Sequence, residues 1–114
     1  EGLLGGGGFC NGDKAAFAGG FGYAGQPVII SEYGGIAFAS GAVGGAWGYG
    51  AGAESEADFL ERLCAMAAAI RQLPYVRGYC YTQLTDVQQE VNGLMDAGRN
   101  FKAGCAAIRE INEI

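Results

Sequence analysis

Histidine is absent from this chain of 114 residues, and with it goes the base of any Ser-His-Asp or Cys-His catalytic arrangement. The four cysteines, Cys10, Cys64, Cys80 and Cys105, form no CxxC pair, so a zinc site is not expected. Cys64, Cys80 and Cys105 lie inside apolar segments and read as small buried hydrophobes in a reducing compartment, which points to the cytoplasm. Seven Lys or Arg face 12 Asp or Glu, for a net charge of −5, and the positive residues are scattered, so nucleic acid is not an expected partner. No apolar run approaches the roughly 20 residues that cross a bilayer, so membrane insertion is not expected. The chain opens on Glu1 rather than Met, as a processed product or a piece of a longer protein would, and secretion stays open.

Glycine is plentiful but unevenly placed. Of 22 glycines only Gly78, Gly93, Gly98 and Gly104 lie beyond residue 53, and the run Gly5-Gly6-Gly7-Gly8 marks residues 1–26 as an irregular arm. Within that arm Gly20-Phe21-Gly22-Tyr23-Ala24-Gly25 matches GxGxxG by letters alone. A dinucleotide fingerprint follows a strand and opens a helix, whereas this one precedes a strand and is followed by Pro27. No GK[ST] accompanies the glycines, and no cofactor is expected.

The run Pro27-Val28-Ile29-Ile30-Ser31-Glu32-Tyr33-Gly34-Gly35 carries the most chemistry. Val28, Ile29 and Ile30 do not alternate with polar residues, so they read as a parallel strand covered on both faces, with Pro27 at its start. Glu32 then sits at the carboxyl end, where open parallel sheets and α/β barrels build their sites, and Gly34-Gly35 lets the backbone turn. On local pattern alone, an ordinary strand-end glutamate in a surface loop is the alternative.

Residues 36–53 read as a long loop containing Trp47-Gly48-Tyr49-Gly50, whose aromatics suit either a sugar-stacking platform or, the favoured reading, an anchor onto the core. Ser55 and Asp58 form a capping pattern, and Phe59, Leu63, Met66, Ile70 and Leu73 give the following helix one apolar face before Pro74 stops it. Tyr75–Thr82 reads as a second strand that runs into Gln83, Thr85 and Asp86. A short helical turn capped by Thr85 or Asp86 is expected through Val91, then a last helix from about Lys102 to Asn112 with Cys105, Ile108 and Ile111 inward. Strand, helix, strand, helix is the repeating unit of a parallel α/β fold.

Pro27-Val-Ile-Ile-Ser-Glu-Tyr-Gly-Gly-Ile36, Trp47-Gly-Tyr-Gly50, and Gly78-Tyr-Cys-Tyr-Thr-Gln-Leu-Thr-Asp86 with Glu90-Val-Asn-Gly-Leu94 closely resemble the end of the catalytic barrel in glycoside hydrolase family 2, which includes β-galactosidases, β-glucuronidases and β-mannosidases. The resemblance covers about residues 22–114. It implies that residues 27–114 are part of a (β/α)8 TIM barrel, corresponding to its β7-α7-β8-α8 portion, with Tyr75–Thr82 as the eighth strand. It implies Glu32 as the catalytic nucleophile, Tyr33, Trp47, Gln83 and Asp86 as candidate substrate contacts, and a β-glycoside as substrate. Asp96-Ala-Gly-Arg-Asn100 departs from the Tyr-Asp-Arg-Lys-Pro run of related sequences.

The family's first six strands, with the Asn-Glu pair that supplies its acid/base, have no counterpart in this chain. A retaining glycosidase needs two carboxyl groups about 5 Å apart, and Asp86 and Glu90, which follow the neighbouring strand, are not expected to supply the second. Three readings compete. The chain is a glycosidase fragment inactive by itself, an enzyme completed by the rest of the barrel or by self-association, or a non-catalytic carbohydrate-binding or interaction module.

Overall fold

The computed structural model describes residues 17–39 and 44–113, in the order β1 (Val28–Gly34), α1 (Glu56–Arg71), β2 (Val76–Thr82) and α2 (Cys105–Asn112). The chain thus has the strand-helix-strand-helix order read from its pattern, and β1 pairs with β2 in parallel. Of the Gly-rich arm, residues 1–16 lie outside the described residues. Residues 17–26 carry a turn at Gly19-Gly20 but no helix or strand, and the GxGxxG match leads into β1.

The start of α1 is fixed by reciprocal capping. The Asp58 amide donates to Ser55 Oγ at 3.2 Å, while Asp58 Oδ2 accepts the Glu54 amide at 3.0 Å, so two otherwise orphaned donors are satisfied. Arg62, one turn on, closes against Asp58 at 2.6 Å. Phe59, Leu63, Ala67 and Ile70 are buried along one stripe, at spacings of four, four and three residues. Ile36, from the loop after β1, joins this core together with Ala103, Ile108 and Ile111 from around α2. Burying each large side chain here stabilises the fold by roughly 1.5–3 kcal/mol. The two helices are also tied at both ends, by the Gly104 amide donating to Glu56 Oε1 at 2.8 Å and by Arg71 donating to the Ile111 carbonyl.

Three expectations are corrected. Cys64, Cys80 and Cys105 are exposed rather than buried, because Cys64 stands one position off the α1 stripe, Cys80 lies on the uncovered face of the sheet, and Cys105 opens α2 ahead of its inward residues. The sheet is not covered on both faces: Ile29 is 67% exposed, since both helices pack on the side that carries Tyr79 and Tyr81 and no described element lies on the other. The helical turn expected after Thr85 is absent. The segment from Thr85 to Met95 instead makes short bridges, Val87 with Glu90 and Thr85 with Met95, because Asp86 bonds across to Gly93 rather than forward into a turn.

No helix of the described residues is long and apolar enough to cross a membrane.

Candidate functional site at the carboxyl edge of the sheet

The two strands end in step, with Gly34 opposite Thr82, so the segments after both strands emerge at one edge. Strict alternation along β1 would send Glu32 to the same face as Val28 and Ile30. The register shifts between Ile30 and Tyr33, and two residues, Ser31 and Glu32, stand opposite the single Cys80. This bulge reverses the alternation: Tyr33 turns inward against the rings of Tyr79 and Tyr81, at 5.5 and 5.6 Å, and Glu32 is left exposed. Burial, and next the neighbouring Tyr79, push the Tyr33 phenol up to about 12; burial likewise raises Tyr81 to about 12.

Beyond Tyr33 the chain turns through Gly34 and Gly35, at φ +98° and +74°, a conformation that glycine adopts without strain. A Cβ at Gly34 would strike the Tyr81 ring and one at Gly35 the Tyr49 ring, so the backbone passes tightly beneath both. The loop then folds back on the segment after β2. Tyr49 donates its amide to the Gly35 carbonyl at 3.0 Å, Trp47 to that of Gln89 at 2.8 Å, and Val91 to that of Trp47 at 3.0 Å. Gly48 lies against Ala37 and Asn92 with no room for a side chain.

The outcome for the aromatics is split. Their backbone is anchored, but the rings of Trp47 and Tyr49 stay outside, 50% and 58% exposed and edge to face at 6.2 Å. A half-exposed indole braced by its own backbone is suited to stacking on an apolar ligand face.

Gln83 comes directly after β2 and is half-buried; its carbonyl accepts the Leu94 amide at 3.0 Å, and its Nε2 is buried without a protein partner. Asp86 is engaged within the protein, with Oδ1 accepting from the Gly93 amide at 2.7 Å and from Lys102 Nζ at 2.8 Å. Glu90 accepts from Asn92 Nδ2 at 3.0 Å. The edge therefore gathers Glu32, Tyr33, Trp47, Gln83 and Asp86 onto two adjoining loops, but only Glu32 and Trp47 present exposed side chains there. Asp96-Ala-Gly-Arg-Asn100 closes a turn of its own, in which the Asn100 side chain and amide hold the Asp96 carboxyl below its usual range.

Two residues at this edge were given no site role by the sequence. Asn92, fully buried, and Lys102 sit between the loops, and the partners of Lys102 lie far off in the chain. A lysine between Phe101 and Ala103 was the only local hint. Among the described residues no group of three His, Cys, Asp or Glu side chains gathers as a metal site.

No protein-family model matches the chain, and no curated protein matches it.

Proposed function

We propose that residues 27–114 are the β7-α7-β8-α8 portion of a (β/α)8 barrel of the glycoside hydrolase family 2 type, that Glu32 is its nucleophile, and that the chain is inactive without the rest of that barrel. The observation that carries the reading is the bulge at Ser31-Glu32, which frees a carboxylate at the carboxyl end of a parallel strand, one loop away from an exposed indole. The open face of the sheet supports the second half. Parallel sheets are ordinarily covered on both sides, and the exposed Ile29 suits a surface that further strands would enclose.

The chemistry requires a carboxylate that attacks the anomeric carbon and a carboxylic acid about 5 Å away that protonates the leaving oxygen. Asp86 and Glu90, the carboxyl groups that follow the neighbouring strand, are both bonded within the loops, so in this reading the acid comes from the rest of the barrel. Cys64, Cys80 and Cys105, the exposed and unbridged thiols among the described residues, suit a reducing, cytoplasmic setting.

A longer reading frame encoding the preceding strands is the first requirement. In that longer protein a 2-fluoro-β-glycoside trap labels Glu32, and Glu32→Gln abolishes labelling while preserving the fold, because an amide does not displace the aglycone. The 114-residue chain alone gives neither labelling nor turnover of a chromogenic β-glycoside. Labelling at another carboxylate, or undiminished turnover in Glu32→Gln, rules out the assignment. The exposed pair Trp47 and Tyr49 favours a second reading, a carbohydrate-binding module without catalysis, which predicts sugar-dependent changes in Trp47 emission and no covalent adduct at Glu32 in either length of chain.

A further inference from the structure

The Lys102 side chain is 1% exposed, and each of its three ammonium protons has a partner: the Phe38 carbonyl at 2.5 Å, Asp86 Oδ1 at 2.8 Å and the Val91 carbonyl at 2.9 Å. A buried charge is tolerated only when it is fully bonded in this way. The partners come from different places. Phe38 belongs to the loop after β1, Asp86 and Val91 to the segment after β2, and Lys102 itself precedes α2. Its own backbone is fixed as well, by a hydrogen bond that its amide donates to the Leu94 carbonyl at 3.0 Å.

Val91 is the junction. Its carbonyl accepts both Lys102 Nζ and the Phe38 amide, at 2.9 Å each, and its amide donates to the Trp47 carbonyl. One residue therefore separates the buried ammonium from the backbone that carries the exposed indole. Asp86 adds a second connection, since the oxygen that meets Lys102 also receives the Gly93 amide next to the buried Asn92. Three backbone segments are thus held at fixed distances by one tetrahedral donor, where apolar contact would leave them free to slide.

We infer that Lys102 is a positioning residue for the carboxyl edge: it locks the loop after β1 to the loop after β2 and so fixes where Trp47 stands relative to Glu32. That Trp47 meets a sugar rests on the proposed function; the locking does not.

Trp47 is the only tryptophan, so its emission anisotropy reports this loop alone. Amide exchange at Trp47 and Val91 reports the bonds themselves, and exchange at Leu63 and Ala67 reports whether α1 remains folded. In Lys102→Met, protection at Trp47 and Val91 falls at least about tenfold and the anisotropy drops, while Leu63 and Ala67 keep their protection. Because the single change strands a buried carboxylate, Lys102→Met is also made with Asp86→Asn, which keeps an acceptor for Gly93 and removes the unpaired charge. The same local loss is expected in that pair. Unchanged Trp47 and Val91 exchange in either folded variant overturns the inference. So does wild-type protein in which these two amides exchange as in an unstructured chain, a result that holds even when neither variant folds. None of these readings involves sugar, so their failure is distinct from failure to trap a glycosyl group on Glu32.

Discussion

The Gly35 amide donates to the Thr82 carbonyl across 2.9 Å, one residue beyond the point where Gly34 and Thr82 face each other. This bond carries the parallel ladder past the last strand residue of β1 and brings the following loops out side by side. It is why Glu32 and Gln83, 51 positions apart in the chain by their numbering, share one edge.

The Ser55 cap is the simplest piece to remove. Ser55→Ala leaves the Asp58 amide without its partner and is expected to lower stability by about 1 kcal/mol, read from chemical denaturation followed by far-ultraviolet circular dichroism. The Glu54 amide and Arg62 hold the Asp58 carboxyl below its ordinary range. The folded state therefore binds this proton more weakly than the unfolded chain, so the contribution is present above the ordinary aspartate range and is lost as pH falls through the lowered folded value. An Asp58→Asn protein is expected to lose less stability on acidification than wild type over that window.

Tyr33 and Tyr81 make the opposite prediction at the alkaline end. Both phenols lie at about 12 in the folded protein against an ordinary value of 10.0. The folded state holds these protons more tightly, so their contribution is complete below the unfolded value and is lost as pH rises from there through about 12. Ultraviolet titration should show late ionisation from Tyr33 and Tyr81, and Tyr33→Phe should diminish that late step. A late step unchanged in Tyr33→Phe contradicts the inward turn of Tyr33.

Gly48→Ala tests the close approach of the aromatic loop. The added Cβ would overlap Asn92 and Ala37, so the loop must shift, and amide protection at Trp47 and Tyr49 should fall while α1 is unaffected. By contrast Phe59→Ala, which empties the centre of the core, should cost about 3–5 kcal/mol and reduce protection in both helices, as measured by hydrogen exchange.

The uncovered sheet face predicts association. Sedimentation of the 114-residue chain should reveal concentration-dependent oligomers or a loosely folded species, and Ile29→Asp should shift the distribution toward monomer. Cys80 on the same face should react with a maleimide in the monomer and be protected in the oligomer, whereas Cys64 and Cys105 react in both. A wild-type chain that sediments as a monomer and melts cooperatively argues against an open quarter of a barrel.

Local pattern determined the elements. Apolar residues at helical spacing from Phe59 to Ile70, the Ser55 and Asp58 cap, and two β-rich runs each ending in polar residues are signals that neighbours in the chain generate among themselves, and the structure places α1, β1 and β2 close to those bounds. The same signals misjudged the cysteines and Ile29, because an apolar segment does not say which of its faces will be covered. Only the tertiary structure decided the face on which Glu32 emerges, since the bulge arises from pairing two residues of β1 with one of β2. It alone also disclosed Lys102. The partners of that ammonium, two backbone carbonyls and one carboxylate, stand 64, 11 and 16 residues away, and contacts at such distances leave no period in the sequence to be read.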